Sequence, residues 1–361
     1  MITIPVLLAG GIGERFWPFS RTTSPKQLLP VISKKSMIEE TFDRISPFCT
    51  KDIKPLIVTG KTIAKKINAA LQNLNPYDCI IEPVGKNTAP AVAIAAGWIK
   101  NNYGEDSVMA VLSADHSITP NDTFIKTLNY AVEIADSFNK LIVMGIHPTR
   151  PDTGYGYIEL GKESGQSESM KSYTVKKFVE KPTIKKAKTY VKSKKFLWNS
   201  GMFVWKTSVI LEEFKKYMPL IYKGVLEAES KGFSQKAIDT FYKNCEKQSI
   251  DYGIMEQSKR VSVVEGSFQW DDIGSWESLH RVLPQNHNKS VISGKKIYEK
   301  ECIETIITNN SNLSVAAIGL TNTVVVTVED AVLVINRDKL PDFKKYLTEM
   351  KNKPGFPKNM F

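Results

Sequence analysis

Residues Leu7–Pro30, with the sequence LLAGGIGERFWPFSRTTSPKQLLP, decide the fold of this chain. The apolar residues Ile4–Leu8 predict a buried β-strand, and the run stops at Gly10, Gly11 and Gly13 without helical periodicity. Glycine permits positive φ and lets several backbone N–H groups approach one anion, because no Cβ stands between peptide and ligand. The stretch therefore predicts a strand that leads into an anion-binding loop.

Two basic residues, Arg15 and Lys26, supply positive charge beside this loop. Neither common phosphate-binding pattern is present in the sequence: GxxxxGK[ST] does not occur, and Phe16 stands where a dinucleotide fingerprint needs a third glycine. Taken alone, the short glycine loop is also compatible with a tight strand-to-helix turn and incidental basic residues.

The segment GGIGERFWP, followed by SPKQLLP, resembles the signature of the sugar-nucleotide pyrophosphorylases, which join a nucleoside triphosphate to a sugar 1-phosphate. The RFWPFSR and SPKQ forms are similar to the mannose-1-phosphate guanylyltransferase branch, and further matches extend along most of the chain. The resemblance implies a Rossmann-like nucleotidyltransferase domain with a mostly parallel, mixed sheet. It also implies that Leu8, Ala9 and the three glycines bind nucleotide, and that Arg15 and Lys26 are catalytic residues that hold the triphosphate.

The composition is that of a globular protein with an excess of basic residues. The 361 residues carry a net charge of +11 at a pI near 9.2, and 42% of them are hydrophobic. The basic residues are mostly scattered lysines, and no helix-turn-helix, zinc-finger or RNP pattern presents them, so we expect no nucleic-acid partner. Positive charge also suits small polyanionic substrates.

The cysteine pattern and the apolar runs indicate the compartment. Cys49, Cys79, Cys245 and Cys302 lie far apart and form no CxxC or Cys/His ligand set, so neither a disulfide framework nor a zinc site is indicated. No apolar run approaches the ~20 residues of a membrane helix, and no basic n-region precedes the first apolar residues. We expect a cytoplasmic protein without membrane contact.

Over residues 4–146, short apolar strands alternate with longer amphipathic segments, a pattern typical of an α/β fold with a parallel sheet. The predicted strands are 55–59, 79–81, 108–112 and 140–144, and the predicted helices are 37–45, 62–74, 89–100 and 123–138. Ligands bind beyond the carboxyl ends of such strands. The glycine loop, Glu82 and Asp115 are therefore expected at one edge of the sheet.

The segment EPVGKNTAPAVAIA, residues 82–95, has two interpretations. Thr88, with a proline two residues later, predicts a capped helix start. The segment also resembles the family's EPxGxNTAPA, which implies that Glu82, Asn87 and Thr88 line the base pocket. A carboxylate that accepts hydrogen bonds from guanine N1–H and its 2-amino group rejects adenine, which has an acceptor at N1.

Two aspartates are candidate Mg²⁺ ligands. VLSADHSI is a strand that ends at Asp115, whose oxygens suit a hard divalent cation, although a helix-cap or turn role is the alternative. Resemblance to the family's ADH and WxDxGSW motifs implies that Asp115 and Asp272 bind Mg²⁺. Asp271 stands where the family pattern has a small residue, and adjacent residues of an extended segment face opposite ways. Two alternatives stay open for Asp271, that it caps the following helix or that it perturbs the site, and His116 receives no role.

The sugar side of the site is predicted between residues 153 and 205. TGYGYIEL and SYTVKKFVEKP predict strands with one solvated face, and the polar residues 161–172 predict a hairpin loop. Lys181 precedes a proline, so a rigid turn aims its ammonium, with a surface Glu–Lys pair as the alternative. The resemblance implies that Lys181 is catalytic and binds the sugar 1-phosphate, and that Gly156, Glu180 and Asn199 contact the sugar. SIDYGIMEQS also resembles the family but assigns no role to Asp251.

The sequence predicts a nucleotidyltransferase catalytic domain over residues 1–286 and a C-terminal β domain with a terminal helix over residues 287–361. Within the latter, β-branched strands alternate with Gly and Asn turns, without a strict hexapeptide repeat. The resemblance implies a partial left-handed β-helix and a homodimer. Longer family members add a cupin isomerase domain after this point, which we expect this chain to lack.

The resemblance implies transfer of GMP from GTP to mannose 1-phosphate, giving GDP-mannose and pyrophosphate, with Mg²⁺ as cofactor. A phosphate monoester has a second pKa of about 6, so the nucleophile is already ionised and no general base is required. One alternative is a pyrophosphorylase of the same family for another nucleotide and hexose 1-phosphate. The other is a regulatory subunit that binds GDP-mannose without making it.

Overall fold

The computed structural model describes residues 2–72, 74, 76–167, 170–357 and 360–361. These residues form two compact units. Unit 1 is made of the described residues within Met1–Gly10, Phe42–Ala114 and Ile118–Trp270, and unit 2 of those within Gly11–Thr41, Asp115–Ser117 and Asp271–Phe361. The domain boundary expected at residue 286 stays a prediction.

The strands are β1 Thr3–Ala9, β2 Leu56–Gly60, β3 Asp78–Glu82, β4 Val108–Ser113, β5 Ser117–Thr119, β6 Leu141–Ile146, β7 Tyr157–Ser167, β8 Met170–Val179, β9 Phe196–Lys206, β10 Val261–Gly266, β11 Gln269–Asp271, β12 Val291–Gly294, β13 Ile297–Lys300, β14 Ile306–Asn310, β15 Val315–Ile318, β16 Thr323–Val328 and β17 Ala331–Asn336. The α-helices are α1 Met37–Ile45, α2 Lys61–Leu71, α3 Thr88–Tyr103, α4 Asn121–Phe138, α5 Ile184–Ser193, α6 Thr207–Tyr217, α7 Pro219–Glu229, α8 Gln235–Asn244, α9 Trp276–Val282 and α10 Phe343–Lys351. Short 3₁₀ turns lie at Glu14–Phe16, Lys26–Leu28, Ser46–Phe48 and Arg337–Asp342, and a π-helical turn lies at Asp251–Met255.

Unit 1 is built on a mixed sheet that contains, among the described residues, nine strands in the order β3-β2-β1-β4-β9-β6-β10-β8-β7. β1 to β4 pair in parallel, as do β6 and β10, whereas β9 runs antiparallel to β4 and β6. The α/β class with a mostly parallel, mixed sheet is thereby confirmed. Ala9 and Glu82 end their strands at the carboxyl edge of the parallel set.

The predicted strands and helices of this region are present, with small shifts at their ends. Helix α1 has its predicted bounds, and α2 ends at Leu71, while residue 73 of its predicted extent lies outside the described residues. The loop predicted over residues 161–172 is wrong. Strand β7 continues to Ser167 and β8 begins at Met170, with residues 168 and 169 outside the described part. Many residues of this hairpin are exposed on both faces, so its sequence is polar without an apolar alternation.

Helix α3 forms much of the core of unit 1. Its apolar residues are buried around the whole circumference, because it packs on the sheet and against α6 and α7. A Cβ on Gly97 would lie 2.4 Å from Val225 Cγ1, so glycine permits the close approach of α3 and α7. This packing fixes the position of α3, whose first turns belong to the predicted base-binding segment, residues 82–95.

Unit 2 contains the C-terminal strands and the aromatic part of the signature. β12, β14 and β16 stack in parallel, β13 pairs in parallel with β15, and β17 returns antiparallel to β16. Ile306 pairs with Val324 and Ile297 with Val315, so the partners in both pairs are 18 residues apart. This stacking fits a β-helix-like arrangement, whose handedness stays a prediction.

The aromatic residues of the signature belong to the core of unit 2. Phe16, Trp17 and Phe19 are buried with Trp276 and with apolar residues of the C-terminal strands. The Phe16 and Trp276 rings lie 4.9 Å apart, and Trp276 Nε1 donates to the Trp17 carbonyl at 3.1 Å. The FWPF segment therefore anchors the signature loop by burying its aromatic side chains in the core of unit 2.

Among the described residues, no helix is long and apolar enough to cross a membrane.

Candidate functional site: the signature loop and two residue clusters

The signature loop folds around Gly13 and Lys26. Gly13 has φ of 76°, in the left-handed region, and a Cβ there would lie 2.6 Å from Lys26 Cβ. The Lys26 amide donates to the Ile12 carbonyl at 3.0 Å, which closes the loop on itself. Gly10 and Gly11 do not have positive φ, so the expected left-handed backbone occurs at one of the three glycines described.

Lys26 is 5% exposed and lies at the centre of a group that we call the Lys26 cluster: Gly13, Lys26, Asp115, Asp272 and Ile273. Its Nζ lies 2.7 Å from Asp115 Oδ2 and donates to the carbonyls of Asp272 and Ile273 at 2.8 and 2.9 Å. Three segments that are far apart in sequence therefore converge on one ammonium. The structure brings together the predicted catalytic lysine and the segments of both predicted metal ligands.

Asp271 has a different place from Asp272. It is buried, pairs with Arg281 of α9 at 2.6 Å and accepts from the Ile273 amide at 2.9 Å. Because its carboxylate is occupied by Arg281, Asp271 holds the turn before α9. Ser275 caps α9 in a capping box with Ser278. Of the two adjacent aspartates, Asp272 is therefore the one whose main chain contacts Lys26.

The other predicted residues of the signature loop are not part of the Lys26 cluster. Arg15 is exposed in the turn Glu14–Phe16, and within the described part of the chain the structure records no contact between it and the Lys26 cluster. Gly11 has open space where a Cβ would stand. The carbonyls of Leu8 and Ala9 accept bonds from the Ala114 amide and Thr59 Oγ1, so these residues anchor the start of the loop through the sheet.

Glu82 ends β3 with its side chain buried beside the backbone of Gly10. A Cβ on Gly10 would lie 3.4 Å from Glu82 Oε2, and burial raises the pKa of this carboxyl. Burial and the charge of Glu82 together raise the pKa of Tyr242 well above its usual value. Within the described residues the Tyr242 hydroxyl forms no hydrogen bond of normal geometry. Glu82 therefore lies in a buried, polar recess at the sheet edge.

Asn87, and not Thr88, is the cap of α3. Asn87 has φ of 68°, and its side chain accepts from the Thr88 amide at 2.9 Å. Thr88 Oγ1 accepts from the Ile250 amide at 2.9 Å. The predicted cap at Thr88 is therefore wrong, since the helix begins one residue earlier in a left-handed cap, and both side chains organise the loop after Glu82.

The predicted sugar-binding residues, together with Asp251, form a second group of residues in unit 1, which we call the Asn199 cluster: Gly156, Glu180, Lys181, Asn199 and Asp251. The main-chain amide of Asn199 donates to the Gly156 carbonyl at 2.9 Å, and a Cβ on Gly156 would lie 2.5 Å from Glu180 Oε2. Gly156 is therefore required for the approach of Glu180.

Lys181 has φ of 42° and places its Nζ 2.6 Å from Glu180 Oε1. Its side chain is 61% exposed, whereas that of Glu180 is 9% exposed, so the lysine side chain reaches solvent while its partner carboxylate is buried. Burial opposes the charge, but the bond to Glu180 prevails and raises the pKa of Lys181. The Glu180–Lys181 ion pair joins neighbouring residues, as the alternative of a surface Glu–Lys pair predicts. Glu180, however, is buried within the Asn199 cluster.

Sequence reasoning assigned no role to Asp251 and missed Glu256. Asn199 Nδ2 donates to Asp251 Oδ1 at 2.8 Å, which joins residues 52 positions apart. Burial and the charge of Glu180 raise the pKa of Asp251 to about 6. Burial also raises the pKa of Glu256, and a hydrogen bond with the Glu180 main chain opposes this rise. The signal in the sequence was the SIDYGIMEQS motif itself, which contains both carboxylates.

The chemistry of the Lys26 cluster fits a divalent cation. Among the described residues, no three or more His, Cys, Asp or Glu side chains are grouped to hold a metal. Mg²⁺ in phosphate-transfer sites is commonly bound by one or two carboxylates, with substrate phosphates and water completing the shell. Asp115 and Asp272 supply two carboxylates on segments joined through Lys26, so the donor set suits an ion that arrives with a polyphosphate.

The family description "Nucleotidyl transferase" matches residues 4–289 of this chain. The chain belongs to the nucleotidyl transferase family.

The individual relatives are more specific. The chain is 37% identical over 360 residues to Mannose-1-phosphate guanylyltransferase RfbM of Salmonella typhimurium, across 97% of this chain and 73% of that protein. It is 36% identical over 354 residues to a mannose-1-phosphate guanylyltransferase of Klebsiella pneumoniae, across 96% of this chain and 74% of that protein. A crystal structure described as mannose-1-phosphate geranyltransferase from Thermus thermophilus superposes with a TM-score of 0.86 at 30% identity, covering 97% of this chain and 100% of that one. The resemblance inferred from the signature is confirmed.

Proposed function

We propose that this protein transfers GMP from GTP to mannose 1-phosphate and releases pyrophosphate, giving GDP-mannose. The observation that carries the proposal is the buried Lys26 ammonium, which joins Asp115 to the carbonyls of Asp272 and Ile273 in a chain similar to mannose-1-phosphate guanylyltransferases. The reaction joins a sugar phosphate to a triphosphate, so alignment and charge stabilisation supply most of the catalysis.

The signature loop and the Lys26 cluster act on the triphosphate. Backbone amides of the loop from Gly10 to Gly13 and the charges of Arg15 and Lys26 hold the phosphates and the leaving pyrophosphate. The strong burial of Lys26 supports this role, because a fixed ammonium needs little reorganisation when charge develops on the pyrophosphate. Arg15, which is exposed, approaches the phosphates only in the bound complex.

Asp115 and Asp272 are the residues that would hold Mg²⁺. When bound, the cation supplies positive charge to the triphosphate and to the incoming sugar phosphate. The Lys26 ammonium, 2.7 Å from Asp115, orients that carboxylate through an ion pair. Asp271 maintains the turn that presents Asp272 through its own ion pair with Arg281.

Base and sugar recognition is assigned to two further groups of residues in this proposal. Glu82 accepts hydrogen bonds from guanine N1–H and the 2-amino group, and Asn87 and Thr88 shape the loop beside it. Lys181 pairs with the phosphate of mannose 1-phosphate, while Glu180, Asn199 and the Gly156 backbone contact the sugar. The grouping of the last four residues supports this assignment, because they come from three separate segments of the sequence.

We further propose a homodimer that uses the C-terminal β domain, residues 287–361. The support is the last strand, β17, where Val332 and Val334 lie two residues apart on one face and are 56% and 64% exposed. The left-handed sense of the β-helix and the cytoplasmic location stay predictions.

The proposal is tested by measuring pyrophosphate release with Mg²⁺ from GTP, ATP, UTP, dTTP and CTP, each with mannose 1-phosphate and with glucose 1-phosphate. We expect release with GTP and mannose 1-phosphate, lost in Asp115→Asn and Asp272→Asn and kept in the exposed control Asp122→Asn. Preference for another pair contradicts the assignment of base or sugar. Nucleotide binding without any release favours the regulatory subunit.

A further inference from the structure

The motif SIDYGIMEQS, residues 249–258, contacts the Asn199 cluster through Asp251, although no role follows from its sequence. Its first turn is π-helical over Asp251–Met255, and a Cβ on Gly253 would lie 2.5 Å from Met218 Sδ. Ile254 and Met255 are buried. The backbone that carries Asp251 is therefore held firmly by packing on α6 and the start of α7.

Asp251 determines which way the Asn199 amide faces. Asn199 Oδ1 accepts from the Gly201 amide at 3.0 Å, and Asn199 Nδ2 donates to Asp251 Oδ1 at 2.8 Å. A flipped amide would set Nδ2 against the Gly201 N–H and Oδ1 against the carboxylate, so both contacts would become repulsive. One of the two Nδ2 hydrogens is then left over, and the structure records no partner for it within the described residues.

The chemistry around this hydrogen suits a sugar hydroxyl more than a phosphate. Glu180 and Asp251 are both acidic, and the charge of Glu180, after burial, contributes to the raised pKa of Asp251. Two neighbouring carboxylates repel a phosphate dianion, whereas hydroxyl groups can donate to carboxylates and accept from an amide. Lys181, whose side chain is 61% exposed, is the cation of the Asn199 cluster that can meet the phosphate.

The same segment is tied to the loop that follows Glu82. The Ile250 amide donates to Thr88 Oγ1 at 2.9 Å, and the Ala89 amide donates to the Gln248 carbonyl at 3.0 Å. The Gln248 amide donates to the Lys86 carbonyl at 3.2 Å. Residues 248–251 therefore connect the start of α3 with the Asn199 cluster inside unit 1.

We propose that Asp251 is a positioning residue for the sugar substrate: it orients the Asn199 amide so that its remaining N–H donates to a hydroxyl oxygen of the hexose 1-phosphate. The inference rests on the proposed function, because it takes a hexose 1-phosphate as the occupant of the cluster. Asp251 itself acts through Asn199 and needs no direct contact with the reacting phosphates.

The test compares four variants with the wild type in the pyrophosphate assay. Asp251→Ala leaves Asn199 free to turn, so the KM for mannose 1-phosphate is expected to rise about tenfold, the loss of one buried, charge-assisted hydrogen bond. The KM for GTP is expected to change less than about twofold, since none of the bonds between the segment and the loop after Glu82 involves the Asp251 side chain. Asp251→Ala added to Asn199→Ala is expected to have little further effect. Exposed Glu246→Gln, close to the same segment, is the matched control.

A swapped variant separates positioning from a structural role. Asn199→Asp with Asp251→Asn restores an amide–carboxylate pair and an acceptor for the Gly201 amide, but residue 199 no longer carries a side-chain N–H. We expect near wild-type resistance to urea, with the KM for mannose 1-phosphate raised as in Asn199→Ala. Recovery of the wild-type KM by the swap overturns the positioning role.

The outcomes also distinguish the inference from the function on which it rests. Failure of the wild type to release pyrophosphate from GTP and mannose 1-phosphate contradicts the proposed function. Normal turnover of the wild type, with an unchanged KM for mannose 1-phosphate in Asp251→Ala, contradicts the role of Asp251 alone. If Asp251→Ala does not fold, Asp251→Leu, which has a similar volume and no hydrogen-bond acceptor, takes its place with the same expected and contradicting outcomes.

Discussion

Replacement of Asp251 by Asn is expected to change the pH dependence of stability by a calculable amount. Burial raises the pKa of Asp251 from 3.8 to about 6. The carboxylate is mostly ionised in the folded protein only above about pH 6, so its desolvation costs folding free energy there, and this cost fades as the pH falls through 6 towards 3.8. A rise of about two units corresponds to roughly 3 kcal/mol.

The expected change is smaller than this limit because the side chain is partly exposed. The Asn side chain keeps the volume and an oxygen that accepts from Asn199 Nδ2, so packing is preserved. We expect the free energy of unfolding of Asp251→Asn, measured relative to the wild type, to be about 2 kcal/mol larger at pH 8 than at pH 4. The sign follows from removal of a group whose ionised form is destabilising.

The assay is urea denaturation of both proteins at pH 4, 5, 6, 7 and 8, followed by circular dichroism. Other carboxylates with raised pKa, such as Glu82 and Glu256, are common to both proteins and largely cancel in the difference. Glu246→Gln, which alters an exposed carboxylate close to the same segment, controls for loss of one negative charge. A difference that is independent of pH, or that grows towards pH 4, refutes the assigned burial of Asp251.

Three further predictions concern the signature loop and the base recess. Gly13→Ala places a Cβ 2.6 Å from Lys26 Cβ at φ of 76°, so we expect the free energy of unfolding, measured with urea, to fall by at least about 1–2 kcal/mol and pyrophosphate release to fall more than tenfold. Gly11→Ala, whose Cβ meets open space, is the control. Lys26→Met removes the ammonium that pairs with Asp115 and with two carbonyls, so we expect about 1–3 kcal/mol of destabilisation and at least a hundredfold lower kcat. An unchanged kcat contradicts the role of Lys26. Glu82→Gln removes a buried carboxyl whose pKa is raised, so we expect no loss of thermal stability at pH 8. We expect the preference for GTP over ATP to fall at least tenfold, and a retained preference refutes base recognition by Glu82.

The sheet and its helices follow from local patterns in the sequence. Helix α1 was predicted at its observed bounds because an amphipathic period and flanking polar residues specify it. The β7–β8 hairpin was expected, but the extension of its strands into residues 161–172 was missed, since many side chains there face water on both sides and the apolar alternation of a half-buried strand is absent. The cap of α3 was displaced by one residue because Asn87 adopts positive φ, which propensity does not reveal.

A site residue could be predicted where it belongs to a recognisable motif. Its hydrogen-bond and ion-pair partners could not be predicted where they lie far away in the sequence. Lys26 could be selected from its motif, but its buried contact with Asp115 depends on the packing of unit 2. Likewise, the bond between Asn199 and Asp251 joins positions 52 residues apart, and neither local periodicity nor charge indicates it. Asp271 received no role from its motif, because its partner Arg281 lies on the following helix.

The central claim is that this chain makes GDP-mannose through the Lys26 cluster. The most direct measurement incubates the purified protein with GTP, mannose 1-phosphate and Mg²⁺, and quantifies pyrophosphate and the nucleotide sugar together by mass spectrometry. The account predicts equal amounts of pyrophosphate and GDP-mannose from the wild type and neither product from Lys26→Met. Formation of GDP-mannose by Lys26→Met at the wild-type rate, or no GDP-mannose from the wild type, contradicts it.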